Sequence, residues 1–593
     1  MLDIKNMRFS FGLEPLTRVE KILLGFFTLL IVGSSIVLTV KFYYSRTIIV
    51  PARGGTHIEG ALGIPRFINP ALAQISDVDR DITRLVYAGL MKYTKEGKLA
   101  MDLAEDFSIQ DEKIYTFKLR DRIFWHDGEL LTADDVIFTI KLIQDPKYAS
   151  PIRLNWQGVE AEKIDDRTVR FKLQNPYSPF LENTTVGILP KHVWENASPK
   201  SFPLAEANLR PIGAGPYKFE KFQKDTSGNI KSYSLKANER YGEKISNLER
   251  IVFKFFESEE EAVLALKNGE ISSMSFLSGS NSRDLDSLSG VLEVHTFSLP
   301  RYFAVFFNQS KSKALKEKEV RQALALATNR EEIIDVAAGG KGAPAFGPII
   351  RELLGYNPEV EGKYKFSLEA AKKVLDDAKW LDTNGDGIRE KKLPGTQAAV
   401  AATSTVKLKG AKKPTPAPVI EPTLLEISLI TVQWPELEKT IRVLKEQWEK
   451  IGAKVTIYSY TLGEIQQNFI RPREYEALLF GEVLGIDPDP FSFWHSSQKK
   501  DPGLNLALYE NKTADKLLEE ARQTLDSQIR SQKYVLFQNA VSEDIPAIFL
   551  YSPLYLYPVS KNVKGIKEGK ISDPSWRFSD VTDWYIDTKR VWK

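Results

Sequence analysis

Between Ile22 and Val40 the chain reads ILLGFFTLLIVGSSIVLTV, 19 residues without a charge. At 1.5 Å per helical residue this run nearly spans a bilayer core of about 30 Å. Whatever else the chain forms is therefore expected to hang from one transmembrane helix. Basic residues flank the run on both sides: Lys5, Arg8, Arg18 and Lys21 before it, Lys41, Arg46 and Arg53 after it. The positive-inside count does not orient it. A secretory signal would have a shorter apolar core and end in small residues. Here the run ends Val40-Lys-Phe-Tyr-Tyr44, a poor cleavage site. The expectation is an uncleaved anchor over 22–40, a cytoplasmic stretch over 1–21 and a large domain outside the cytoplasm. Charge alone also permits a cytoplasmic domain.

The chain has 593 residues, 42% hydrophobic and 27% charged, which suits three or four globular domains. Its net charge of +3 supplies no field for nucleic acid. Cysteine is absent, which excludes disulfides, thiolate metal sites, cysteine nucleophiles and a lipidated cysteine. The five histidines (His57, His126, His192, His295, His495) are too dispersed for a local zinc motif. No G-x-S-x-G, H-E-x-x-H or phosphate loop occurs, so the expectation is a binding protein, not an enzyme, without a cofactor.

Period-two alternation predicts strands over 113–120 and 168–173. Thr132-Ala-Asp-Asp135 reads as an N-cap with an acidic first turn. Ser258 with Glu261 reads as a capping box opening a helix that Gly269 ends. A strand over 424–432, a helix over 437–451 and a strand over 455–460 predict a parallel β-α-β crossover. A long apolar strand is expected over 545–557. Asp382, Asn384 and Asp386 imitate the first half of a calcium loop, but the twelfth position is Leu393. A simple Asx/Gly turn is the preferred reading. Residues 394–423 are rich in Ala, Thr, Pro and Lys and are expected to be a flexible insertion.

The stretch from Ala477 to His495 reads ALLFGEVLGIDPDPFSFWH. Its apolar start predicts a strand. Gly481 and Gly485 allow a bend or close approach, and Asp487-Pro-Asp-Pro490 stops any regular element. Local physics favours a strand, a turn and a buried aromatic anchor over a binding loop.

These segments together resemble a known family. Tyr115-Thr-Phe-Lys-Leu-Arg120, Phe124-Trp-His-Asp-Gly128 and Leu131-Thr-Ala-Asp-Asp-Val136 are similar to the signature region of the family 5 extracellular solute-binding proteins, the peptide and nickel receptors of ABC importers. The resemblance continues in order through Asn175-Pro-Tyr-Ser-Pro-Phe180, Gly213-Ala-Gly-Pro-Tyr217, Val320-Arg-Gln-Ala-Leu324 and Asp487-Pro-Asp489. It implies an α/β, bilobal periplasmic-binding-protein-like fold (class II) with an extra third lobe. Lobe one would comprise 51–88, 212–299 and 548–593, lobe two 89–211 and lobe three 300–547. The implied ligand is a peptide held between lobes one and three, and the implied partners are permease subunits, with the receptor a monomer. An oligosaccharide, metal chelate or opine-like solute, or a sensor that has lost transport, are the alternatives.

By position, the resemblance points to Glu59, Gly60, Ala61 and Leu62, to Phe138, to Phe276 and Leu277, to Tyr302, and to Phe480, Gly481, Glu482, Val483 and Leu484 as ligand-lining residues. Two departures stand out. Peptide-binding members carry an aspartate three residues before the Asp-Pro, for the ligand ammonium; here it is Leu484. Glu482 shares its strand face with Leu484 and is the candidate replacement. The family's lipid anchor is replaced by the 22–40 helix.

Overall fold

The computed structural model describes residues 17–593, apart from 95, 243–244, 280, 282–284, 286–287 and 393–421. The expected insertion therefore lies outside the described residues, except for Pro422 and Thr423. Of these two, Thr423 joins a strand, Thr423–Leu424, which pairs with Glu390–Lys391.

The run AIFLYSPLYLYPVS forms one strand, Ala547–Ser560, buried along nearly its whole length. Such continuous apolar runs belong to strands covered on both faces. Its first half pairs antiparallel with Arg301–Phe307 (Val305 opposite Ile548), its second half with Leu292–Ser298 (His295 opposite Tyr557). Leu299 and Pro300 join those two partners. Two antiparallel segments thus cross together from one half of a 12-stranded sheet to the other.

On one side the sheet continues through Ser273–Met274, Gly54–Leu62, Leu248–Phe256, Ile230–Ala237 and Tyr217–Lys224. On the other it continues through Arg301–Phe307, Ala477–Val483, Glu426–Val432 and Lys454–Tyr460. The last two strands are parallel and enclose the helix Pro435–Glu449, as the β-α-β pattern predicts. Its Leu437, Ile441, Leu444 and Trp448 are buried on the sheet side.

The apolar cores follow this division. One is drawn from residues between Tyr302 and Tyr551. Another joins residues from Ala61 to Leu299 with Tyr555 to Trp584. A small cluster around Leu266, Met274 and Leu556 completes the set. Within the second core lies a four-stranded antiparallel sheet: Ala104–Gln110, Ile114–Leu119, Thr168–Leu173 and Val159–Asp165. Alternation buries Tyr115, Phe117 and Leu119, as period two requires. The helix Ala133–Gln144 covers it and starts at the expected Thr132–Asp135 capping box.

The helix Arg18–Arg46 extends beyond the apolar run at both ends and buries none of its residues. Thr17 and Glu20 close its first turn as a capping box. Its other end passes directly into the strand Thr47–Pro51, which pairs antiparallel with Thr588–Trp592. The sequence reading contains neither strand.

Gly213 and Gly215 wedge against the end of the helix Asp77–Val86, where the Gly215 amide donates to Val86 O at 2.8 Å. A Cβ on Gly213 would sit 2.0 Å from that same oxygen. Gly213→Ala is expected to lower unfolding free energy by about 1–3 kcal/mol through overpacking, measured by chemical denaturation. An unchanged midpoint contradicts the wedge.

Candidate ligand-binding cleft

The strand Ala477–Val483 lies between two neighbours, but they cover it unequally. Arg301–Phe307 pairs with its full length. On its other side Glu426–Val432 pairs only at Ala477 and Leu478, and Thr431 Oγ1 donates to Leu479 O at 3.0 Å. Among the described residues, no strand pairs with Phe480–Val483 on that side. A strand edge left open in this way is a template for an extended chain. Gly481 keeps it thin: a Cβ there would meet the Phe303 ring at 2.8 Å.

Side chains on this edge divide sharply. Val483 is 63% exposed, while Phe480 and Gly481 are partly buried. Glu482 is 2% exposed and stands opposite Tyr302, also buried. The Tyr302 hydroxyl donates to Glu482 Oε2, and Trp494 Nε1 donates to the Tyr302 hydroxyl at 3.3 Å. Glu482 Oε1 has no hydrogen-bond partner among the described residues. Burial pushes this carboxyl up to about 8, against the pull of the Tyr302 hydroxyl and the Trp494 indole. Glu482 is thus a protonated acid at neutral pH, enclosed with Tyr302 and Trp494. Leu484 is buried, and its amide donates to Pro300 O at the crossing between the sheet halves.

The acids beyond are tied down. Asp487 Oδ2 accepts from Arg530 at 2.6 Å, and Asp489 Oδ2 accepts from Arg522 at 2.6 and 2.9 Å. Trp494 is fully buried in the short helix Phe491–Trp494. This is the turn and aromatic anchor that local physics favours. Glu182, absent from the sequence-derived set, accepts the Asp487 amide at 2.7 Å. Burial pushes Glu182 up to about 7.

The second segment of the expected site is Gly54–Leu62, on the other half of the same sheet. Glu59 and Ala61 are buried there, and Leu62 is partly exposed. Gly60 packs so closely that a Cβ would lie 2.5 Å from Ile271 Cδ1. Glu59 is the centre of a buried polar network. Arg577 Nη2 donates to Glu59 Oε1 at 2.8 Å and to Asp81 Oδ2 at 2.6 Å. Tyr557 donates to Glu59 Oε2 at 2.7 Å, Ser273 donates to the same oxygen, and His57 Nε2 lies 3.1 Å away. Burial drives Glu59 up, but the Arg577 cation and His57 outweigh it and bring it down to about 2. Its charge is held inside the protein. Phe276 is 41% exposed, Leu277 is buried, and Phe138 packs partly exposed against the second core. No short-range signal could pair Arg577 with Glu59, 518 residues apart.

Two other features bear on the expected site. A cavity of ≈ 220 Å³ lined by Arg84, Tyr87, Tyr93, Glu182 and Trp576 contains none of the expected ligand-lining residues. In the calcium-like loop, Asp382 accepts the amides of Gly385 and Gly387, and Asp386 accepts that of Ile388. These are the bonds of an Asx/Gly turn.

The profile described as bacterial extracellular solute-binding proteins, family 5 Middle, matches residues 98–505. The chain belongs to this family. The family 5 assignment extends to whole-chain relatives. The chain is 29% identical over 544 residues to the oligopeptide-binding protein AppA of Bacillus subtilis, covering 90% of this chain and 92% of that protein. It is 25% identical over 492 residues to the dipeptide-binding protein of Escherichia coli, covering 78% and 82%. Among solved structures, AppA of B. subtilis with a nonapeptide matches at TM-score 0.68 and 27% identity, over 91% of this chain and 100% of that one. NikZ of Campylobacter jejuni with Ni(L-His) matches at TM-score 0.68 and 26% identity, over 89% and 99%. The fold is that of the bilobal α/β binding proteins of this family.

The two buried acids respond differently to change. Glu482 binds a proton in the folded state that an unfolded glutamate releases. Its contribution is full below about pH 4.5 and is lost as pH rises through about 8, by up to about 4 kcal/mol. Glu482→Gln is expected to flatten that loss, raising Tm above the parent near pH 8–9 and leaving the two alike near pH 5. Parallel Tm profiles contradict the assignment. Arg577→Met leaves Glu59 and Asp81 without their cation and is expected to cost about 3–5 kcal/mol in denaturant titration. A cost under about 1 kcal/mol contradicts it.

Proposed function

We propose that this family 5 protein captures peptides between two hinged lobes and presents them to the permease subunits of an ABC importer, acting by binding alone. One observation carries this reading: among the described residues, the backbone edge Phe480–Val483 has no strand neighbour on one side. An extended peptide added there would gain main-chain hydrogen bonds, while loosely filled, wet pockets tolerate varied side chains. The similarity to AppA, solved with a nonapeptide, supports the same ligand class.

In this reading lobe one comprises 51–88, 212–299 and 548–593, lobe two 89–211 and lobe three 300–547. The separate cores on either side of the Leu299–Arg301 crossing support setting lobe three apart, while lobe two shares a core with lobe one. Phe480 to Val483 supply the pairing edge, with Leu484 buried beside it and its amide already bonded to Pro300 O, and Gly60 to Leu62 with Phe276 supply the opposing wall. Tyr302 and Glu482 hold the edge from within, and Phe138 contributes from lobe two. Closure would be a hinge motion about the paired crossings. The body works as a monomer outside the cytoplasm, held by an uncleaved membrane helix over 22–40. The exposed, uncharged and predominantly apolar surface of that run supports the anchor.

The test is native mass spectrometry of the full chain in detergent, incubated with a mixed peptide pool. Retained peptides of defined length are expected, with affinity in calorimetry for the recovered species. No retained peptide at any length contradicts the proposal, and binding only of a nickel–histidine chelate replaces it.

A further inference from the structure

The junction between the membrane helix and the body is more than a tether. The strand Thr588–Trp592 returns to the end of the helix Arg18–Arg46 and pairs with Thr47–Pro51 over five positions, from Thr47–Trp592 to Pro51–Thr588. The Lys593 amide donates to Arg46 O at 2.9 Å. Arg590 Nη1 donates to Thr47 Oγ1 at 2.9 Å, and Thr47 Oγ1 donates to Tyr43 O at 2.7 Å. The Arg590 guanidinium also lies over the Tyr44 ring at 4.1 Å. The helix end is thereby welded to the body by a second segment.

This weld gathers two kinds of side chain at one height. Phe42, Tyr43 and Tyr44 follow the apolar run directly, and the Trp592 ring stands 5.8 Å from Tyr43 and 6.4 Å from Phe42. All four are exposed, Trp592 at 63%. Around them stand Lys41, Arg46, Lys589, Arg590 and Lys593, none of which forms an ion pair among the described residues. Ile48 and Ile49 on the partner strand are exposed as well. In water, four clustered aromatics leave apolar area uncovered, while the five cations beside them are hydrated but lack an anionic partner among the described residues. At the boundary of a bilayer each finds its natural medium: rings at the headgroup level, cations against anionic headgroups.

We propose that Phe42 to Tyr44 and Trp592, with the surrounding cations, form an aromatic–basic collar. It lies in the headgroup layer of an anionic bilayer and holds the binding body at a fixed height over the membrane. The proposal rests on the anchor reading above. It adds a partner, an anionic lipid surface, and a receiving site, the paired strands Thr47–Pro51 and Thr588–Trp592.

The chain lacks cysteine, so one introduced cysteine carries a spin label uniquely. The full chain is placed in phosphatidylcholine nanodiscs with and without phosphatidylglycerol. Label depth is read from accessibility to oxygen and to a water-soluble nickel chelate. A label at Val32→Cys checks the anchor, one at Ile49→Cys reads the collar, and one at Leu204→Cys, 85% exposed on the body, gives the aqueous reference. Ile49→Cys is expected at headgroup depth when phosphatidylglycerol is present. It should become several-fold more accessible to the chelate when Lys41, Lys589 and Lys593 are replaced together by glutamine. An Ile49→Cys label as aqueous as Leu204→Cys, with Val32→Cys in hydrocarbon, overturns the collar and leaves the anchor standing. Headgroup depth unchanged by the glutamine variant overturns the role of anionic lipid. An aqueous Val32→Cys label overturns the anchor and the collar with it.

Discussion

The antiparallel ladder between 292–307 and Ala547–Ser560 is the connection on which the rest of the molecule depends. Each of these segments changes sheet half within a few residues, Leu299–Arg301 on one and Tyr551–Leu554 on the other. Because they pair with each other, the two halves of the sheet are joined by a short double strand. In the proposed reading this double strand is the element about which the lobes would close. It also fixes the position of the strand Ala477–Val483, whose neighbour Arg301–Phe307 is one of the crossing segments. The open edge Phe480–Val483 thus ends directly beside the crossing.

Two buried glutamates on either side of that crossing show how environment sets charge. Glu59 meets a buried arginine, a histidine and two hydroxyls and stays ionised. Glu482 meets one hydroxyl and an indole and takes up a proton. Removing a partner from the first strands a charge in the interior, whereas the second carries no charge at neutral pH to strand. The carboxylate that sequence position suggests for a ligand ammonium is therefore a neutral acid that braces Tyr302 from within the strand.

Periodicity and capping made the local elements legible: the alternating strand at 113–120, the Thr132 and Ser258 caps, and the β-α-β unit over 424–460 were all readable from neighbours a few residues apart. The strand at Ala477 runs on to Val483, farther than its apolar start suggests, because pairing with Arg301–Phe307 carries it through Gly481. What stayed hidden depends on distant pairing. Arg577 gives no local sign of its partners Glu59 and Asp81, and Glu182 none of its bond to the Asp487 amide. The strands Thr47–Pro51 and Thr588–Trp592 are five residues each, too short to announce themselves, and each pairs with the other from the far end of the chain. For the proposed ligand edge, the sequence reading named Phe480 to Leu484, and the openness of Phe480–Val483 became visible only with the neighbouring strand Glu426–Val432 in place.

The central claim is that an extended ligand adds to the edge Phe480–Val483. Amide hydrogen exchange of the full chain, with and without saturating peptide recovered from a mixed pool, measures this directly. The account predicts slowed exchange concentrated within Phe480 to Val483 and at Gly60 to Leu62, with the crossing strands and the Leu484 amide already protected in both states. Peptide binding that leaves the amides of Phe480 to Val483 exchanging at their free rate, with protection elsewhere, would contradict it.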